Sequence, residues 1–183
     1  MKIIKKELKG VYIVERKTFS DERGEFSRLY CNRELEKIID TREIVQINLS
    51  RNKIKGCIRG LHFQYPPHAE MKIVSCLKGE IYDVAVDLRP KSKSYLQSYG
   101  NILTAQNQLM MITPEGFAHG YQSLTEDTEV LYASTSHYKP EFEGGLRFND
   151  PVLNINWPME HQNISEKDLK HALIDKSFSG IEL

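Results

Sequence analysis

The sequence predicts an all-β fold, a sandwich or barrel of jelly-roll type with a few short helices. Strand signals recur at short intervals between turn residues along most of the chain, and helical spacing is confined to two brief segments. The size agrees: 183 residues, 40% of them hydrophobic, suit one domain (1–183) with an ordinary core.

The first strand is the β-prone run Val11-Tyr12-Ile13-Val14. Ser20-Asp21-Glu22-Arg23-Gly24 is turn chemistry before an alternating strand over residues 25–30. Residues 32–39 open on Asn32, a capping residue type, and carry Leu35, Ile38 and Ile39 at helical spacing, which predicts a short helix. Residues 45–50 alternate strictly, so Gln46, Asn48 and Ser50 share one face that meets either solvent or a polar pocket. Strands follow over residues 72–77 and 81–88 around a turn at Lys78-Gly79-Glu80, then over 95–103, 108–113 and 129–134. Pro114-Glu115-Gly116 is a further turn, and Ser165-Glu166-Lys167-Asp168 caps a short C-terminal helix.

Charge excludes some partners. Twenty-five basic and 25 acidic residues leave no formal net charge, which argues against nucleic acid or an anionic membrane surface. A basic site for an anionic ligand must therefore be local. The segment Met1-Lys2-Ile3-Ile4-Lys5-Lys6 is too short and too charged for a secretory signal, and no apolar run reaches a membrane span. Cys31, Cys57 and Cys76 form no CxxC pair; reduced thiols in a cytoplasmic protein are expected.

Candidate chemistry gathers between Arg59 and Lys72. Leu61 and Phe63 alternate with His62 and Gln64, so the two polar side chains share a strand face. A titratable group aimed into a sheet's concave face is costly without a partner or ligand. A lone histidine is more often a hydrogen-bonded core residue, but Arg59 and Lys72 flank this one. Downstream, Thr113-Pro114-Glu115-Gly116-Phe117-Ala118-His119-Gly120 delivers a second histidine to the start of a strand. The two phrases resemble the two-box layout of cupin barrels, whose boxes supply metal ligands. A metal site of that kind wants another histidine two residues after His62, where Gln64 stands; His68 and Glu70 lie beyond the Pro66-Pro67 turn. A metal-dependent oxygenase is thus the second reading. Without a metal, His62 fits a general base steadied by one of Asp83, Asp87, Asp150 or Asp168. Tyr132 fits either a proton donor or a packed aromatic, and Lys72, Arg59 and His119 could stabilise an enolate or hold phosphate.

The ordered series Asp21-Glu22-Arg23-Gly24 with Phe26, Gln46/Asn48/Ser50, Arg59-Gly60-Leu61-His62-Phe63-Gln64, Lys72-Ile73-Val74, residues 79–89 and residues 114–120 continues through Tyr132, Tyr138, Glu143, Asn149-Asp150-Pro151, Trp157-Pro158 and residues 165–168. Nearly end to end, it resembles the dTDP-4-dehydrorhamnose 3,5-epimerases, cupin-fold enzymes of the L-rhamnose pathway. The resemblance implies a nucleoside-diphospho-4-keto-6-deoxyhexose substrate, inversion at C3 and C5, and no metal or organic cofactor. It assigns His62 as base with Asp168 as its carboxylate, Tyr132 as acid, and Lys72 beside the keto oxygen. Arg59 and His119 match residues around the sugar and diphosphate, and Arg23, Phe26, Gln46 and Asn48 match residues of the nucleotide site. Tyr138, Glu143 and Lys167 match further substrate-binding positions. The family also implies a homodimer with exchange of N-terminal strands. Three departures stand out: Arg28 where the family has a glutamate near the base, a longer loop between Ser50 and Gly56, and Phe148 for a tryptophan. Inversion at C3 alone, or a CDP-, GDP- or UDP-linked sugar, are the neighbouring readings.

Overall fold

Alternating apolar residues with frequent turns produce two antiparallel sheets. The computed structural model describes residues 1–183, apart from the side chains of Lys5 and Lys6. The first sheet runs β1 (Lys2–Glu7), β2 (Val11–Glu15), β10 (Leu109–Thr113), β7 (Lys72–Lys78), β12 (Thr128–Ser134) and β5 (Gln46–Asn52). The second runs β13 (Glu143–Gly145), β6 (Ile58–Gln64), β11 (Phe117–Ser123), β8 (Glu80–Asp87) and β9 (Ser98–Thr104). A ribbon of β3 (Thr18–Asp21) and β4 (Gly24–Ser27) pairs only with itself among the described strands. This is the expected all-β jelly roll, with helices α1 (Asn32–Ile39) and α2 (Glu166–Leu169).

Strand parity sorts the side chains into three layers. Val11 and Ile13, Val74 and Cys76, Ile81 and Ala85, and Phe117 and Tyr121 meet between the sheets. Their sequence neighbours point outward. Val14, Ile73, Met110 and Ile112 receive Leu35, Ile38 and Ile39 from α1, each buried side chain contributing about 1.5–3 kcal/mol. On the other sheet, Val84, Val86 and Ala118 are covered by Leu146, Leu153 and Ile181 of the C-terminal segment. That segment thereby brings α2 against β6. No described helix is long and apolar enough to cross a membrane.

Several boundaries differ from the sequence reading. The strand expected over residues 25–30 stops at Ser27, where Arg28 turns to pair with Glu34 and Tyr30 packs beneath α1. The strand expected to begin at Tyr95 begins at Ser98. Asp87 accepts from Arg89, Ser92 and Ser94 and winds residues 89–97 into a tight loop. Cys31, rather than Asn32, is the N-cap of α1. The C-terminal helix has only four residues, although Ser165 caps it as expected.

Gly60 is needed where the pairing of β6 with its neighbour β11 shifts register. Its φ is +124°, and a Cβ there would lie 2.6 Å from the Gly120 Cα and 2.8 Å from the His119 carbonyl oxygen. Gly60→Ala should destabilise the chain by about 3 kcal/mol through strain and overpacking. At about 2–4 °C per kcal/mol, calorimetry should record a melting temperature roughly 10 °C lower.

Candidate active site

The inward register that fills the core elsewhere carries polar residues at one place, and the space there opens into a cavity of about 480 Å³. Its walls include Arg59 and His62 from β6, Lys72 from β7, His119 and Tyr121 from β11, Tyr132 from β12, and Lys167 and Asp168 from α2. His62 and Tyr132 belong to different sheets, so they approach this space from opposite layers. Ser50, Cys57, Ile58, Asn163, Ile164 and Ser165 complete the lining.

His62 and Asp168 form a dyad, with 2.7 Å between Nε2 and Oδ1. The second oxygen of Asp168 accepts from the Gly60 amide at 3.3 Å, and the Asp168 amide donates to Ser165 Oγ at 3.1 Å. Burial opposes ionisation of Asp168. The His62 hydrogen bond and charge, the Gly60 amide and Ser165 outweigh it and hold the carboxyl below its usual range. A carboxylate at Nε2 selects the Nε2–H tautomer of a neutral imidazole, leaving Nδ1 as acceptor. His171 stands beside the dyad, its Nε2 3.9 Å from Asp168 Oδ1 and its ring centroid 6.0 Å from that of His62. Burial, with the nearby His62 charge, pushes its imidazole pKa down.

A second dyad lies deeper: His119 Nε2 and Asp83 Oδ1 are 2.8 Å apart, and burial pushes the Asp83 carboxyl up against the opposing pull of His119. Of the four aspartates open to sequence, Asp168 serves His62 and Asp83 serves His119. Asp87 serves the 89–97 loop, and Asp150 accepts from the Val152 and Ile174 amides. Lys72 Nζ sits 3.0 Å from Glu70 Oε1, and Ser134 Oγ donates to the other oxygen of Glu70. Glu70 is therefore a partner of the lysine. Gln64 is buried and holds backbone: it donates to the His68 and His137 carbonyls and accepts from the Lys139 amide.

Tyr132 is half-buried with its phenol pKa raised, by burial first and by the Glu70 and Glu143 carboxylates next. Arg59 donates to Asn52 Oδ1 at 2.7 Å, the Asn52 amide donates to the Tyr121 hydroxyl at 3.0 Å, and Tyr121 donates to Ser50 Oγ at 2.8 Å. That chain of bonds joins the two sheets beside the cavity. Lys167 reaches Glu143 Oε2 at 2.6 Å, and the Tyr138 hydroxyl donates to the same oxygen at 2.7 Å, so the three form one cluster.

The remaining expected residues lie outside this cavity. Gln46 donates to Asn48 Oδ1 at 3.1 Å and accepts from the Tyr138 amide, on the face of β5 that continues to Ser50. Arg23 and Phe26 line a shallow pocket on the β3–β4 ribbon. His171, Asp83 as the partner of His119, and Glu70 as the partner of Lys72 were not picked out from sequence. Only the nearness of Glu70 to Lys72 in the sequence, just before β7, could have signalled any of them.

Residues 5–176 match the family described as dTDP-4-dehydrorhamnose 3,5-epimerase. The dTDP-4-dehydrorhamnose 3,5-epimerase of Salmonella typhimurium is 41% identical over 179 residues, covering 97% of each chain. A crystal structure of the Bacillus anthracis enzyme with TDP and PPi bound superposes with a TM-score of 0.91 at 38% identity, over 94% of this chain and 99% of that one. The dTDP-6-deoxy-D-glucose-3,5-epimerase of Legionella pneumophila, in complex with dTDP-4-keto-L-rhamnose, gives 0.91 at 36% identity over 99% and 98%.

Proposed function

The chain belongs to the dTDP-4-dehydrorhamnose 3,5-epimerase family, and from that premise we infer how its cavity inverts C3 and C5 of a dTDP-linked 4-keto-6-deoxyhexose. The observation that carries the reading is one cavity lined by a His–Asp dyad, a lysine and a half-buried tyrosine on opposing sheets. The C4 ketone acidifies the neighbouring C–H bonds. His62 Nδ1 takes a proton from one face of the ring, and the C–H electron pair moves to the C4 oxygen as an enolate. The Lys72 ammonium stabilises that oxygen more than the neutral ketone, which lowers the barrier. Tyr132 then donates its proton to the other face, inverting the carbon. Solvent restores both groups: the imidazolium loses a proton and the phenolate gains one. The carbonyl itself supplies the electron sink, so the proposed route uses neither a metal nor an organic cofactor.

Arg59, His119 and Lys167 carry the charge and donors suited to the sugar and diphosphate. Tyr138 and Glu143 position Lys167. Incubation with dTDP-4-keto-6-deoxy-D-glucose, followed by NMR of the product, should give the L-rhamno ketosugar. A product inverted at C3 alone, or unchanged substrate, would contradict this reading.

The raised Tyr132 phenol has a checkable consequence. Glu70 is one of the charges keeping that proton on, and its removal should make ionisation easier. Glu70→Gln should therefore move the alkaline limb of the pH–rate profile to lower pH, while the acid limb stays in place.

We read residues 1–183 as one domain that works as a homodimer exchanging N-terminal strands. β5 is inverted for an edge strand: Gln46, Asn48 and Ser50 turn inward while Ile47 and Leu49 are 64% and 47% exposed. Phe19 and Phe26, on the free ribbon, are 56% and 66% exposed. A second copy covering these residues would remove apolar area from water and bring Arg23 and Phe26 to its partner's cavity. Ile47→Asp with Leu49→Asp should convert the dimer to monomer in analytical ultracentrifugation. Operation in the cytoplasm fits three cysteines that form no disulfide.

A further inference from the structure

Two histidines address one carboxylate at this site, and the proposed epimerisation uses only one of them. One ligand atom from each of His62, Asp168 and His171 lies within 4.8 Å of the others, and His62 Nε2 and His171 Nε2 stand 2.7 Å and 3.9 Å from the shared Asp168 Oδ1. Ligand atoms around a tetrahedral zinc stand about 3.3 Å apart, given bonds of roughly 2.0–2.1 Å. The two distances to the Asp168 oxygen bracket that value, and the two imidazoles must draw together for the set to close. His171 Nε2 is buried and makes no hydrogen bond among the described residues, a costly state for a polar nitrogen. The backbone also makes room for it. Gly145 pairs with His62 in register, and a Cβ there would lie 2.2 Å from His171 Cε1 and Nε2. The imidazole thus occupies the space a side chain at position 145 would need.

We propose that His62, Asp168 and His171 form a zinc site whose occupation shuts off the base. Two imidazole nitrogens and one carboxylate oxygen suit zinc and leave its fourth position open to the cavity; they do not suit magnesium or calcium, which prefer oxygen ligands. Binding through Nε2 requires the lone pair at that nitrogen, so the ring proton must sit on Nδ1. The nitrogen that accepts the sugar's proton then becomes a donor. The shut-off rests on the base role proposed for His62, while the binding does not.

The wild-type enzyme should take up one zinc per chain in isothermal titration calorimetry and lose epimerase activity in parallel, with activity restored by a chelator and untouched by magnesium. His171→Asn should keep its basal activity and need at least about tenfold more zinc for half-inhibition. Cobalt(II) bound to the wild type should show the intense visible absorption of a four-coordinate site, which requires no variant to fold. Absence of zinc binding, equal zinc sensitivity in His171→Asn, or a cobalt spectrum of purely octahedral type would each overturn the proposal. Calorimetry and cobalt spectra report the metal even if the sugar is not turned over, so a failure of the epimerase reading is seen separately.

Discussion

Replacing His62 by asparagine should lower kcat/KM by about 10²–10⁴, equivalent to roughly 3–5 kcal/mol of transition-state stabilisation. Asparagine is too short to reach Asp168 from the place of Nε2, but the carboxylate keeps the Gly60 amide as a donor, so the fold should hold. No proton acceptor remains at that position of the cavity wall, and the other imidazole lining it, His119, is held by Asp83. The dissociation constant for dTDP should change little, because the proposed phosphate and nucleotide contacts lie with Arg59, His119, Lys167 and residues of the ribbon. The expected pattern is therefore intact binding with lost turnover, measured by titration calorimetry beside steady-state kinetics. Activity within about tenfold of wild type would remove His62 from the mechanism.

Tyr132→Phe should give the second large effect, of a different kind. Phenylalanine keeps the ring packed against the inter-sheet core that Tyr132 joins but removes the phenolic proton. His62 can still take hydrogen from the substrate and return it to the same face. Net inversion should fall by about 10²–10⁴, while exchange of substrate hydrogen with solvent continues. The ratio of exchange to inversion, followed by NMR in deuterated buffer, should rise by orders of magnitude. Equal losses of exchange and inversion would mean that Tyr132 is not the acid.

The fold was legible because alternation and turns are local. Val11 with Ile13 and Met110 with Ile112 each show their face in the sequence, and the layers follow. Strand ends were less visible, since they depend on distant partners. Residues 89–97 bend because Asp87 draws in Ser92 and Ser94, and nothing in residues 95–97 alone announces it. The cavity was partly legible: the alternation around His62, and Lys72 at the start of a strand, marked an inward-facing polar set. The partner of His62 was not, because Asp168 lies 106 residues away and α2 reaches β6 by way of the C-terminal segment packed on the second sheet. Four aspartates remained equivalent until family resemblance chose among them. His171 was missed for a related reason: its place depends on the empty space at Gly145, a property of two segments together.

The claim most exposed to test is that hydrogen leaves and returns through solvent-exchangeable groups on two sides of a ketosugar. Wild-type enzyme and dTDP-4-keto-6-deoxy-D-glucose in deuterium oxide should yield product carrying one deuteron at C3 and one at C5, each on the inverted face. Inverted product with protium at both carbons would contradict the account.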